Sequence, residues 1–162
     1  MSWFGCTSNS RIFPFSDDDE GKEEPPPEYM LRFGGYMEST GKAAAGGTIY
    51  KNGIAIRTEY MMVTAKADPV EVGYHGLILG LNRLSSMNVS DLIIESNEYQ
   101  VIDNMETGLR GHVNPVMRLH NYAESVVKKF NHVEYELINA EANRKVISIC
   151  KHAVENEYAD KN

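Results

Sequence analysis

Apolar and polar residues alternate along three early segments of the chain. The first, 29–37, reads YMLRFGGYM, and the runs 45–51 and 54–64 lie on either side of Asn52-Gly53. Alternation with a period of two is typical of a strand with one buried face. Asn-Gly between two such runs is a strong indication of a β-hairpin. The pattern therefore predicts three consecutive antiparallel strands.

From residue 68 the apolar spacing becomes helical. Asp68-Pro69 is typical of a helix start, and five apolar residues follow at helical spacing: Val70, Tyr74, Leu77, Leu81 and Leu84. Strands are predicted near 90–95 and 132–139, helices over 97–106 and 114–130, and a last amphipathic helix from residue 143. The order β-β-β-α-β-α-α-β-α predicts an α/β fold. We expect a mixed five-stranded sheet, three antiparallel strands and then two parallel ones, flanked by helices.

Charge divides the 162 residues into an acidic arm and a nearly neutral domain. Residues 1–28 carry seven acids and two bases, a net charge of -5 out of -7 for the whole chain. Residues 16–28 read SDDDEGKEEPPPE, where like charges and prolines favour a disordered linker. We therefore expect a disordered N-terminal arm over 1–28, a domain over 29–157 and a tail over 158–162.

The arm begins with aromatic and aliphatic residues that are unusual in a disordered tail: Trp3, Phe4, Ile12, Phe13 and Phe15. Two interpretations stay open. In the first, these residues belong to a disordered terminus that associates non-specifically. In the second, they form a short peptide that docks on a partner protein or on the domain, since aromatic side chains make strong anchors.

The two cysteines, Cys6 and Cys150, have no Cys or His at metal-ligand spacing beside them. We expect free thiols in a reducing intracellular compartment, which is the cytoplasm, the nucleus or an organelle matrix. A component of a virion is the alternative. The N-terminal residues lack the basic start and apolar core of a signal peptide, and no run is apolar enough for a membrane span. We therefore expect no contact with a membrane.

Four phrases in this order resemble the ribonuclease H family over about residues 29–157. FGGYMESTGKAAAGGTIYKNG is similar to the first hairpin of the family, and GYHGLILGL to the EYxALxxGL of its first helix. LIIESNEYQVIDNM resembles the VxxDSxxVVxxx strand and helix. EANRKVISICKHA resembles the RExNxxADxLAxxA of the last helix, with Asn143 at the position of the family's Asn.

The resemblance implies a metal-dependent nuclease that cuts the RNA strand of an RNA–DNA hybrid with two Mg²⁺ ions held by four acids. Paired divalent cations need several carboxylate oxygens. In this sequence the four positions carry Gly34, Gly73, Ser96 and Ile147. None of these side chains is a carboxylate, so we expect a degenerate member of the family without catalytic residues, bound metal or cofactor.

Nearby acids are the alternative source of metal ligands: Glu38, Glu71, Glu95 and Glu98. Strand alternation directs Glu95 to the face opposite Ser96, and helical geometry turns Glu71 away from Gly73. Only Glu98, at the start of a helix, is placed to reach inward. A relocated metal site therefore stays the least favoured interpretation.

The domain is too weakly basic for a protein that mainly grips phosphate. Three basic residues near the former active-site face are candidates for nucleic-acid contact: Lys42, Arg144 and Lys145. The sequence favours a structural or interaction component of a larger macromolecular assembly, with protein partners bound through the arm. A module that binds an RNA–DNA hybrid or double-stranded RNA is the alternative.

Overall fold

The structure, a computed structural model, describes residues 27–64, 66–109 and 115–160. Those residues form five strands and four helices. The strands are β1 (Tyr29–Met37), β2 (Ala43–Lys51), β3 (Ile54–Val63), β4 (Asp91–Ser96) and β5 (His132–Leu137). The helices are α1 (Pro69–Ser85), α2 (Tyr99–Thr107), α3 (Val116–Val127) and α4 (Arg144–Asp160).

The strands form one sheet in the order β3-β2-β1-β4-β5. The pairs β1–β2 and β2–β3 are antiparallel, whereas β4 pairs with β1, and β5 with β4, in parallel. This confirms the predicted mixed sheet. At the β2–β3 turn, Asn52 and Gly53 both have positive φ, 51° and 81°. Two consecutive positive φ values give a turn that matches the twist of a hairpin.

The helices α1 and α4 cover opposite faces of β1. A Cβ atom at Gly35 would lie 2.5 Å from Cγ1 of Val72 in α1, whereas one at Gly34 would lie 3.5 Å from Cγ1 of Val146 in α4. Consecutive residues of a strand point to opposite faces, so the two contacts place one helix on each side. The predicted helix start is also confirmed, because the Asp68 carboxylate accepts a hydrogen bond from the backbone N–H of Glu71 at 2.9 Å.

Glycines let α1 lie very close to the sheet. A Cβ atom at Gly76 would stand 2.7 Å from the carbonyl oxygen of Gly34 and 2.9 Å from that of Gly46. Both neighbours are backbone atoms that cannot rotate away, so a larger residue would push the helix off the sheet. The close approach fixes where the first turns of α1 lie relative to the ends of β1 and β4.

The boundaries of the domain differ slightly from the predicted ones. Glu28, the last residue assigned to the arm, accepts a hydrogen bond from the N–H of Asn52 on its carbonyl oxygen at 2.7 Å. At the other end, α4 runs to Asp160 rather than 157. The predicted docking residues of the arm lie outside the described residues. Within the described part of the chain, no helix is long and apolar enough to cross a membrane.

Candidate functional site

The four positions that carry acids in the ribonuclease H family lie on four different elements. Gly34 is in β1, Ser96 ends β4, Gly73 is near the start of α1, and Ile147 is near the start of α4. In the parallel pairing of β1 and β4, Phe33 stands opposite Ser96, so Gly34 directly follows a paired residue. The fold thus places the carboxyl-terminal part of β1 beside the end of β4, where the expected site would be.

The carbonyl oxygen of Phe33 is the centre of a buried hydrogen-bond network at this point. The Ser96 hydroxyl donates to it at 2.6 Å, and Nδ2 of Asn143 donates to it at 2.8 Å. The same Nδ2 donates to Oδ1 of Asn97 at 2.7 Å, and the Ser96 hydroxyl accepts from the N–H of Glu98 at 3.0 Å. Ser96 and Asn143 are buried. We call this group the Phe33 junction.

The junction lies directly beside position 34, so any side chain there would have to share space with it. A Cβ atom at Gly34 would lie 2.9 Å from Nδ2 of Asn143, which is closer than real Cβ contacts allow. An aspartate there would therefore displace the amide that joins α4 to β1. The sequence resemblance identified Asn143 as a family position, but the hydrogen bonds it makes are visible only in the structure.

Glu98 reaches inward, as the sequence predicted. Its Oε2 lies 3.2 Å from the place a Cβ atom of Gly73 would occupy, and Val101 Cγ2 lies 2.8 Å from the same point. Glu98 is half-buried, and burial raises the pKa of its carboxyl. A carboxyl group thus stands next to the Gly73 position, but in an environment that disfavours its charge.

The other three acids have different partners. Glu95 accepts a hydrogen bond from Nε of Arg32 at 2.7 Å, Glu71 completes the cap at the start of α1, and Glu38 accepts from the Thr40 hydroxyl at 2.7 Å. Across residues 27–64, 66–109 and 115–160, no group of three or more His, Cys, Asp or Glu side chains could hold a metal ion. The donor set does not fit the paired divalent cations that the family resemblance implies.

The structure does not bring the three predicted basic residues together. Lys42 precedes the first residue of β2, whereas Nζ of Lys145 lies 5.9 Å from the ring centroid of Tyr50, near the end of that strand. Eight residues of strand span about 26 Å, so no single patch includes both lysines. Arg144 is ion-paired with Glu141 at 2.9 Å. The structure therefore separates Lys42 from Lys145, and nucleic-acid contact by these residues stays a prediction.

A small cationic and aromatic group that the sequence did not indicate lies around Tyr50. The guanidinium of Arg32 lies 5.5 Å from the Tyr50 ring centroid, on which Lys145 also packs. Arg32 is at the same time paired with Glu95. Half of the positive charge of this group is thus already neutralised within the chain.

A second buried polar group joins α1 to α3. The Tyr74 hydroxyl lies 2.8 Å from Nδ1 of His120, whose Nε2 lies 3.3 Å from a carboxylate oxygen of Glu124. Burial raises the pKa of Tyr74 to about 12. Both rings are buried, so the pair holds two helices together and offers no surface to a substrate.

The thiol of Cys150 is buried and free. Burial, and then the charge of Glu98, raise its pKa to about 12, so the thiol stays protonated at neutral pH. Cys150 is therefore a packing residue and not a nucleophile. The other predicted free thiol, Cys6, lies outside the described residues.

Replacing Asn143 by Asp tests the Phe33 junction. The carboxylate would face two oxygens that now accept from the amide nitrogen, so we expect the free energy of unfolding to fall by roughly 2–4 kcal/mol at pH 7. Denaturant titration measures the change. The matched control is Asn156→Asp, an exposed position on α4, the helix that follows Asn143, and equal effects of both substitutions would contradict the junction.

The raised pKa of Glu98 predicts a pH-dependent cost. At pH values between the ordinary pKa of 4.5 and the higher pKa that Glu98 has in the folded protein, the folded protein binds more protons than the unfolded chain. The contribution of Glu98 to the free energy of unfolding therefore falls as pH rises through this range. Glu98→Gln removes that cost. The gain in the free energy of unfolding should be larger at pH 7 than at pH 4, and Glu155→Gln on the exposed side of α4 is the matched control for the substitution itself. A gain that is equal at both pH values would disprove the prediction.

Solved structures share this fold at low sequence identity. The N-terminal RNase H domain of rv2228c from Mycobacterium tuberculosis, a fusion with maltose-binding protein, has a TM-score of 0.75 and 14% identity, covering 84% of this chain and 99% of that one. RNase H1 from Halobacterium salinarum has a TM-score of 0.73 and 15% identity, covering 79% and 98%.

LC11-RNase H1, which was isolated from compost by a metagenomic approach, gives a similar result in its complex with an RNA/DNA hybrid. Its TM-score is 0.73 at 12% identity, with 80% of this chain and 99% of that chain covered. A search of curated proteins finds no match. At such identities the solved structures establish the fold alone, which is the ribonuclease H-like α/β fold that the sequence predicted.

The family itself is established by a sequence model. The model described as reverse transcriptase-like matches residues 33–153, which is well over half of the chain. The match runs from Phe33 in β1 to Ala153 in α4 and so includes every element of the Phe33 junction. The chain belongs to the reverse transcriptase-like family and has a ribonuclease H-like fold.

Proposed function

We propose that this ribonuclease H-like domain has no nuclease activity and serves as a structural or interaction component of a larger macromolecular assembly. The observation that carries the proposal is the set of side chains at the four acid positions, which surround the Phe33 junction. Where two metal ions would need four carboxylates, the chain has two glycines, a serine and an isoleucine.

The electrostatics of the site support the proposal. A two-metal mechanism depends on a concentrated negative charge that holds both ions and stabilises the attacking and leaving oxygens. Here the junction consists of neutral amide, hydroxyl and carbonyl groups, and the carboxyl next to the Gly73 position, that of Glu98, has a pKa that burial raises. A single carboxyl cannot balance the charge of two divalent cations.

Nucleic-acid binding without cleavage is the second candidate function. It rests on the cationic and aromatic group at Tyr50, because aromatic faces and basic side chains together suit single-stranded bases and phosphates. LC11-RNase H1 was solved with an RNA/DNA hybrid. We rank this function lower, since Arg32 is paired with Glu95 and Lys42 lies far along β2.

Purified protein should not cleave an RNA–DNA hybrid above background in Mg²⁺ or Mn²⁺, because the ligands for the two ions are missing. Gel electrophoresis of a labelled hybrid measures cleavage, and an RNase H1 enzyme serves as the positive control. Fluorescence anisotropy with the same hybrid tests the second candidate function.

The outcome that would overturn the proposal is metal-dependent cleavage that disappears in Glu98→Gln. Such a result would show that Glu98 acts as a relocated ligand. Cleavage that persists in this variant would indicate a contaminating nuclease, and a preparation that has passed a second purification step distinguishes the two.

The arm should be needed for the protein's place in its assembly but not for folding. Deleting residues 1–26 keeps Glu28, whose carbonyl oxygen and carboxylate contact the hairpin end, so we expect the melting temperature to change by only a few degrees. A pull-down compares the full chain with this deletion and with Trp3→Ala/Phe4→Ala. Loss of partner recovery in both variants is expected, because each aromatic anchor contributes roughly 1.5–3 kcal/mol when buried.

Two results would count against this role of the arm. Equal partner recovery for all three proteins would show that the domain alone makes the contact. A fall of many degrees in melting temperature on deletion would show that the arm packs on its own domain instead.

A further inference from the structure

The edge strand β3 is unusually exposed and unusually apolar. It is the outermost strand of the sheet, so one side of its backbone has no partner strand among the described residues. Of the seven large hydrophobic residues that the described part of the chain exposes, three lie on β3. They are Ile54, Ile56 and Tyr60, with 69%, 46% and 57% of their surface accessible. Long exposed apolar edges are templates for pairing with another strand.

The middle of β3 carries one positive and one negative side chain, which lie on opposite sides of a threonine in the sequence. Arg57 and Glu59 flank Thr58, and no other residue of the strand is charged. Two antiparallel copies related by a twofold axis at Thr58 would place each Arg57 opposite the Glu59 of its partner. Directly opposite side chains of opposite charge stabilise a strand pair, and like charges destabilise it.

The same pairing also brings the exposed apolar residues together. With Thr58 opposite its own copy, the exposed Tyr60 of each copy lies near Ile56 of the other, at the bulge of β3. Residues that lie opposite in an antiparallel pair must share a face of the sheet, so the nearest alternative registers are shifted by two residues. One of them sets Arg57 against Arg57 and the other Glu59 against Glu59. Charge therefore selects a single register.

We propose that β3 is a homodimer interface, at which a second copy of this chain pairs antiparallel about Thr58 to give a continuous ten-stranded sheet. The occupant is a second copy because the charge pattern is complementary to itself. On the α1 side, the partner's arginine would join an existing cluster, in which Glu59 already accepts from Arg57 at 2.7 Å and from Arg83 at 2.6 Å.

One local feature limits how far the pairing extends. The register of β2 and β3 shifts between Ile49 and Tyr50, which leaves Ile56 as the extra residue of a bulge. A bulge increases the local twist of a strand. The regular part of β3, from Arg57 to Val63, contains both charges and Thr58, so the centre of the proposed contact is unaffected.

Charge reversal tests the interface in the full chain. Arg57→Glu and Glu59→Arg each place like charges opposite one another in both of the pairs that flank Thr58. Either substitution should therefore raise the dimer dissociation constant by at least about tenfold. An equimolar mixture of the two variants restores opposite charges across the interface and should form a heterodimer. Arg118→Glu, at an exposed position on α3, is the matched control and should leave dimerisation unchanged.

Sedimentation equilibrium measures the dissociation constants, native mass spectrometry identifies the heterodimer, and circular dichroism confirms that each variant folds. Recovery of dimer only in the mixture supports the proposal, since a general loss of stability would not be rescued by mixing. Three results overturn it: a full chain that stays monomeric at the highest attainable concentration, a dimer that ignores both reversals, or folded variants that do not associate when mixed.

Discussion

The carbonyl oxygen of Phe33 is the atom on which the arrangement of this domain's centre depends. It is a backbone acceptor of β1, and two side chains from elsewhere in the sequence, Ser96 at the end of β4 and Asn143 before α4, both donate to it. These bonds are buried, where a hydrogen bond is costly to lose because the freed groups find no water. One oxygen thereby fixes two strands and the start of a helix.

This junction stands where related folds would need a charged and accessible site. An active two-metal centre is destabilising for the protein alone, because four carboxylates in one place repel each other until cations bind. Glycine, serine and isoleucine at these positions carry no charge, so that repulsion is absent here. A neutral hydrogen-bond network at this point agrees with the proposed role as a scaffold.

The edge of the sheet offers an exposed surface, unlike the neutral and buried centre of the domain. The helices α1 and α4 cover the two faces of the antiparallel half of the sheet, but β3 stays exposed along its edge and bears three large apolar residues. An interaction component needs surfaces rather than clefts, and an exposed strand offers backbone hydrogen bonds together with a register set by its charges. The proposed roles of the arm and of β3 are compatible, since they use different parts of the chain.

The sequence by itself determined the order of elements, the hairpin and the absence of acids at four positions. These depend on local periodicity, on turn residues such as Asn52-Gly53 and on motif spacing, all of which are encoded within a few neighbouring residues. It also placed Glu98 correctly, because the start of a helix has a defined direction. Tertiary structure alone decided that Asn143 donates to Phe33, 110 residues away, and that Lys42 and Lys145 stay apart. Contacts of that kind depend on how α4 docks across β1 and β2, and no pattern of neighbouring residues specifies that docking.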